Sequence, residues 1–273
     1  MLDCLIVGAG PAGLTAAVYL ARFRRDVLLA DAGASRARWI PVSRNTPGFP
    51  SGIHGETLLG EMREQAARFG VEPRRCKVKK LKREDDHFIA TIGKERVAAR
   101  KVVLATGVVD GLPPIDGVEA AIQAGVVRLC AICDGLETDG MRVGVYGPPE
   151  SAASHARFMR TFCADVTAIA TRGTFAPDTA GELESLGIAR IDDVEALVWD
   201  GGKTVCVRRR DGDEAGFTAF YPVLGAVAQS QLALDLGAEA SECGDLVVDA
   251  HQRTSVPGLY AIGDVVSALN QIS

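Results

Sequence analysis

Residues 4–31, CLIVGAGPAGLTAAVYLARFRRDVLLAD, decide the fold. The apolar run at 4–7 predicts a buried strand, GAGPAG at 8–13 a tight turn, 14–23 a helix, and 27–30 a second strand closed by Asp31. A GxGxxG pattern alone is weak. Here it follows a strand, opens a helix and is followed by an acid 18 residues after Gly13. Gly8 allows the tight turn, Gly10 lets backbone approach a pyrophosphate at the helix N-terminus, and Gly13 lets helix lie on strand. Asp31 is placed to accept ribose hydroxyls. The opening predicts a βαβ unit that binds a dinucleotide.

Working outward, PGFPSG at 47–52 reads as a turn-rich loop, and 56–69 has helical periodicity with Leu58, Leu59, Met62 and Ala66 on one face. Three strands follow at 76–83, 88–92 and 100–104. The first alternates apolar residues with Lys77, Lys79, Lys80 and Lys82, as a lysine-guarded edge strand does. Glycines and the pair Pro113 and Pro114 mark 105–117 as a domain boundary. A second strand, turn and helix unit begins at Arg142. At a constant offset of 139, Gly8 meets Gly147, Gly10 meets Pro149, Gly13 meets Ala152, Val27 meets Val166 and Asp31 meets Ala170. Two nucleotide-binding folds in one chain are predicted.

The chain has 273 residues, enough for one large domain or two modest ones at about 150 residues each. Apolar residues make up 47% and charged residues 24%, which excludes a disordered chain. A net charge of −5 gives no reason to expect nucleic acid. Asp3 and the glycines interrupt the N-terminal apolar run, so no export signal is expected. No stretch approaches about 18 uninterrupted apolar residues, so no membrane span is expected either. Seven cysteines are an odd and sparse set, as in a cytoplasmic protein with reduced thiols.

Cys130 and Cys133 form CAIC, followed by Asp134 and Gly135. The pattern admits half a zinc site, a redox pair or two structural thiols. No second CxxC or histidine pair completes a metal site, so no metal is expected and the redox reading is preferred. Two intervening residues allow a disulfide, and Asp134 is placed to move the proton that thiol–disulfide exchange requires. The other five cysteines and all four histidines read as packing or surface residues.

GAGPAG at 8–13, NTPGF at 45–49, ATG at 105–107, CAICDG at 130–135 and TSVPGLYAIGD at 254–264 together resemble the low-molecular-weight thioredoxin reductases, in the pyridine nucleotide-disulfide oxidoreductase superfamily. The resemblance implies an α/β protein with two Rossmann-like domains: a discontinuous FAD domain at 1–113 and 225–273, and an inserted NAD(P)H-type domain at 114–224 that carries the CxxC. It implies cofactor contacts by Gly8, Gly10, Pro11, Ala12, Gly13, Asp31, Asn45, Ala105, Thr106, Gly107, Gly263, Asp264 and Gln271. Cys133 would face the flavin, Cys130 would attack the partner's disulfide, and Asp134 would serve as acid/base. The implied activity passes electrons between FAD and the dithiol, then to a thioredoxin-like protein or a small-molecule disulfide, in a homodimer. The family pattern also continues through a helix past the position of Gln271, whereas the sequence stops at Ser273.

The second fold departs from the family's GxGxxA. GPPESA at 147–152 puts Pro149 where backbone must approach a pyrophosphate, and of the family's basic cluster for a 2′-phosphate only Arg172 survives at 170–176. NADPH use is therefore open. Three alternatives stand beside the reductase: a flavin dithiol oxidase using oxygen, a relay reduced by ferredoxin, and a flavin-binding redox sensor.

Overall fold

The computed structural model describes residues 1–266 and 271–272. They form two compact units. The first comprises Met1–Arg38, His54–Val109 and the described residues from Ala226 on; the second comprises Trp39–Ile53 and Asp110–Gly225.

The first unit opens with β1 (Leu2–Val7), α1 (Pro11–Arg22), β2 (Val27–Asp31) and α2 (Gly55–Ala67), followed by β3 (Arg74–Arg75), β4 (Val78–Glu84), β5 (His87–Ile92) and β6 (Glu95–Leu104). The sheet order is β3-β2-β1-β6-β5-β4. Leu5 and Ile6 are both fully buried, because a central parallel strand is covered on both faces. Leu14 and Ala17, one helical turn apart, give α1 its buried stripe. The long β6 lies between two neighbours of one sheet: Glu95 to Ala99 pair antiparallel with β5, while Val102 to Leu104 run parallel to β1. β4 is the edge strand, with Lys79, Lys80 and Lys82 exposed, as the alternation predicts.

β7 (Val108–Asp110) leads out of this unit. The second unit then contains α3 (Val118–Gln123), α4 (Ala131–Asp134), β8 (Arg142–Gly147), α5 (Pro149–Met159), β9 (Asp165–Ala170), α6 (Pro177–Ser185) and β10 (Ala189–Ile191). After these come β11 (Val194–Trp199), β12 (Val205–Arg209), β13 (Glu214–Phe217) and β14 (Ala219–Pro222). A parallel sheet of order β10-β9-β8-β14 stands beside the antiparallel β11-β12-β13. The sequence repeat is a structural repeat: Cys4 pairs with Val27 in β1 and β2, and Val143 with Val166 in β8 and β9, at the same offset. Ala152, Ala153, Ala156 and Met159 are fully buried, and the small alanine side chains let α5 lie close on its sheet.

The chain returns through β15 (Ala226–Ala228), which pairs with β7, then α7 (Gln231–Leu234) and β16 (Leu259–Ala261), which extends the first sheet beside β6. The segment Trp39–Ile53 groups with the second unit, whereas the sequence reading keeps all of 1–113 together. Trp39 packs against the cluster that contains Ile115, Ile122 and Phe220, and Ser43 and Ile53 close the segment on itself by two backbone hydrogen bonds. No described helix is long and apolar enough to cross a membrane.

Candidate functional site

In the first unit, Gly8, Ala9 and Gly10 link β1 to α1. Gly8 has φ +109°, and a Cβ there would collide with the Ala105 carbonyl oxygen. A Cβ on Gly13 would strike the Gly8 carbonyl oxygen, so this glycine sets how closely α1 approaches the turn. Gly10 is the N-cap and offers no side-chain cap. The N–H groups of Ala9, Gly10, Ala12 and Gly13 thus surround a helix N-terminus whose own ladder does not consume them.

Asp31 ends β2 and is 9% exposed; its Oδ1 accepts from the Gly33 N–H at 2.7 Å, which leaves Oδ2 for another donor. Gly263, at φ +71°, comes so near α1 that a Cβ would lie 2.8 Å from the Ala12 Cβ, and this brings Asp264 to the same helix end. The Arg36 guanidinium stands 3.8 Å from Asp264 Oδ2. Ala105 to Gly107 follow β6, where Thr106 Oγ1 donates to the Gln229 carbonyl at 2.7 Å and Gln229 N–H donates to the Gly107 carbonyl at 2.9 Å. Helix-end N–H groups, a glycine cradle and a strand-end acid fit the pyrophosphate and adenosine of FAD. Asn45 lies in the second unit, accepting from Ser43 Oγ at 3.0 Å, and Gln271 is half-buried.

The second strand, turn and helix does not fit a nucleotide in the same way. β8 ends at Gly147 and α5 begins at Pro149, so Pro148 alone links them. Pro148 and Pro149 have no N–H, and Glu150 places a carboxylate in the first helical turn. That carboxylate accepts from Thr179 Oγ1 at 3.3 Å. Ala170, at the end of β9, offers no ribose acceptor.

Cys130 and Cys133 form a disulfide, with Cα atoms 5.3 Å apart. Cys130 is the N-cap of the one-turn α4, and its carbonyl accepts from the Cys133 N–H at 3.1 Å. Ile132 and Leu136 are 62% and 73% exposed, so an apolar surface flanks the pair.

Asp134 is held from both sides. Tyr221 Oη donates to its Oδ1 at 2.8 Å, and Arg128 Nη1 lies 3.3 Å from Oδ2. Arg128 is fixed in turn by its Nε donating to the Gly125 carbonyl at 3.0 Å. Burial pushes the Asp134 carboxyl above the ordinary carboxylate range, against the opposing pull of Arg128 and Tyr221. Burial raises the Tyr221 phenol, and the Asp134 charge adds to that, so Tyr221 stays a donor. The sequence reading names Cys130, Cys133 and Asp134, which the fold brings together, and does not name Arg128 and Tyr221, which hold Asp134. Neither belongs to a motif. No group of three or more potential metal ligands occurs among the described residues.

A family model described as pyridine nucleotide-disulphide oxidoreductase matches residues 2–273. The chain is 30% identical to a thioredoxin reductase of Listeria innocua, over 99% of this chain and 88% of that one. Among solved structures, the thioredoxin reductase from Streptococcus pyogenes superposes with a TM-score of 0.90 at 29% identity, covering 100% of this chain and 92% of that one. The crystal structure of HlmI superposes with a TM-score of 0.89 at 29% identity, covering 98% and 86%.

Proposed function

Since the chain belongs to the pyridine nucleotide-disulphide oxidoreductase family, and within it to the low-molecular-weight thioredoxin reductase-like flavoproteins, we propose that Cys130 and Cys133 are its redox-active pair. The protein is an FAD-dependent, thioredoxin reductase-like oxidoreductase. FAD, when bound, supplies a carrier for two electrons. We assign its binding to residues 1–113 and 225–273, and the dithiol to 114–224. The Gly8 to Gly13 turn holds the pyrophosphate, Asp31 takes the adenosine ribose, and Asp264 the ribityl side. The family pattern assigns Ala105, Thr106, Gly107, Asn45 and Gln271 to the same cofactor.

In the reductive direction, the Cys130 thiolate attacks a partner disulfide. One partner sulfur bonds to Cys130 and the other leaves as a thiolate, which takes a proton from Asp134. Cys133 then attacks Cys130 of the mixed disulfide, releasing the second partner thiolate and closing Cys130–Cys133. Cys133 is the flavin-facing thiol. The observation that carries this reading is a closed CxxC disulfide next to a half-buried carboxylate gripped at both oxygens.

The partner we propose is a thioredoxin-like protein or a small-molecule disulfide, and the working form a cytoplasmic homodimer. The five remaining cysteines are free thiols, in keeping with a reducing compartment. The test mixes pre-reduced holoprotein with oxidised thioredoxin and counts thioredoxin thiols. Wild type should release them stoichiometrically and Cys130→Ser should release none. Equal release by C130S contradicts the assignment of the attacking thiol.

A further inference from the structure

We infer that the second strand–turn–helix unit is closed to a pyridine nucleotide and that reducing equivalents enter this chain as a dithiol, at the Cys130–Cys133 disulfide. The inference rests on the reading of that pair as the exchanging one. The two nucleotide-type units of the chain differ just where a phosphate would sit. In the first, Ala9 and Gly10 stand between β1 and the body of α1; at the same places in the second stand Pro148 and Pro149, with α5 beginning at Pro149. Two consecutive prolines remove the amide donors that the equivalent Ala9 and Gly10 supply. Glu150, in the first turn of α5 and hydrogen-bonded to Thr179, adds a negative charge near that helix end, where a pyrophosphate would bring more.

Recognition of the ribose is missing as well. Ala170 cannot accept the 2′-hydroxyl of NAD, and Arg172 is the sole basic side chain from 170 to 176 to meet the 2′-phosphate of NADP. Loss of two charge-assisted hydrogen bonds alone weakens binding roughly a hundredfold or more.

The disulfide, in contrast, is half-buried beside an exposed apolar surface. Exposed Ile132 lies between the two cysteines and exposed Leu136 just beyond them, an apolar approach suited to an uncharged dithiol. One substrate thiolate attacks the Cys130–Cys133 bond and forms a mixed disulfide. The second substrate thiolate then displaces the protein sulfur. The substrate leaves as its disulfide, two electrons poorer, and Cys130 and Cys133 are left as a dithiol holding those electrons and the two protons.

The test uses the FAD-loaded protein without oxygen. Equilibrium dialysis against NADPH and NADH at about 1 mM, the top of the usual KM range, should retain neither. Dithiothreitol and, separately, chemically reduced thioredoxin are added as the small and the protein dithiol, and Cys130 and Cys133 are counted by alkylation and mass spectrometry. Opening of the disulfide by either dithiol supports the inference, and which one opens it at micromolar concentration assigns the source. Saturable retention of NADPH or NADH, or flavin bleaching by either, overturns it. A disulfide that no dithiol opens overturns the reading of the pair itself, and is distinguishable because the dialysis result stands apart from it.

Discussion

Tyr221, on a fully buried strand of the second unit, donates its hydroxyl to Asp134 across 2.8 Å from a position 87 residues further along the chain. Donors at both oxygens lower the cost of charge on a half-buried carboxylate, and Tyr221 with Arg128 provides one at each. The proton affinity of Asp134 is thereby poised between burial, which raises it, and two donors, which lower it.

Tyr221→Phe keeps the ring and removes the donor. The Asp134 carboxyl should then hold its proton to higher pH, and stability should fall by about 1–3 kcal/mol for the orphaned oxygen. The pH profile of thiol–disulfide exchange by the reduced protein, followed by stopped flow, should shift its Asp134 limb upward. A purely packing role would lower the urea midpoint and leave that limb in place.

Asp134 also gives the fold a pH dependence of known sign. Its carboxyl binds a proton more tightly in the folded chain than in the unfolded one, so protonation stabilises the fold. That contribution is complete below the ordinary carboxylate range and is lost as pH rises through the raised folded value. Asp134→Asn cannot ionise. Urea midpoints between pH 4 and 7 should therefore show the stability of wild type relative to D134N falling with rising pH; a rise would reverse the sign given to burial.

The free thiols should separate by environment. Burial pushes the Cys4 thiol up to about 12, and it sits 4% exposed in β1, whereas Cys243 is exposed. Under native conditions at pH 8, iodoacetamide should modify Cys243 within minutes and leave Cys4 unmodified until the chain is unfolded, as peptide mass spectrometry reads out. Comparable labelling of both would mean that β1 opens locally.

Much of this was legible in the sequence for physical reasons. GAGPAG needs glycine at positions 8 and 13 because neither has room for a Cβ, and such constraints act within a few residues. The repeat at offset 139 was visible because both copies bury the same strands. Tyr221 was not, since AFYP reads as an apolar core strand and nothing local reveals that its phenol reaches Asp134. Arg128 reads as one arginine among many, and only the fold aims it at a carboxylate six residues away. Pro149 could be read as hostile to phosphate, but the backbone was needed to show that α5 begins there. The membership of Trp39–Ile53 in the second unit was hidden for a similar reason, because it depends on where Trp39 packs.

The central claim, that Cys130 and Cys133 exchange electrons with the flavin, is tested most directly by anaerobic dithionite titration of the FAD-loaded protein. Wild type should take up twice the reducing equivalents per flavin that Cys133→Ser does, with full bleaching only after the disulfide has opened. Equal uptake by wild type and C133S, with flavin retained in both, would contradict it.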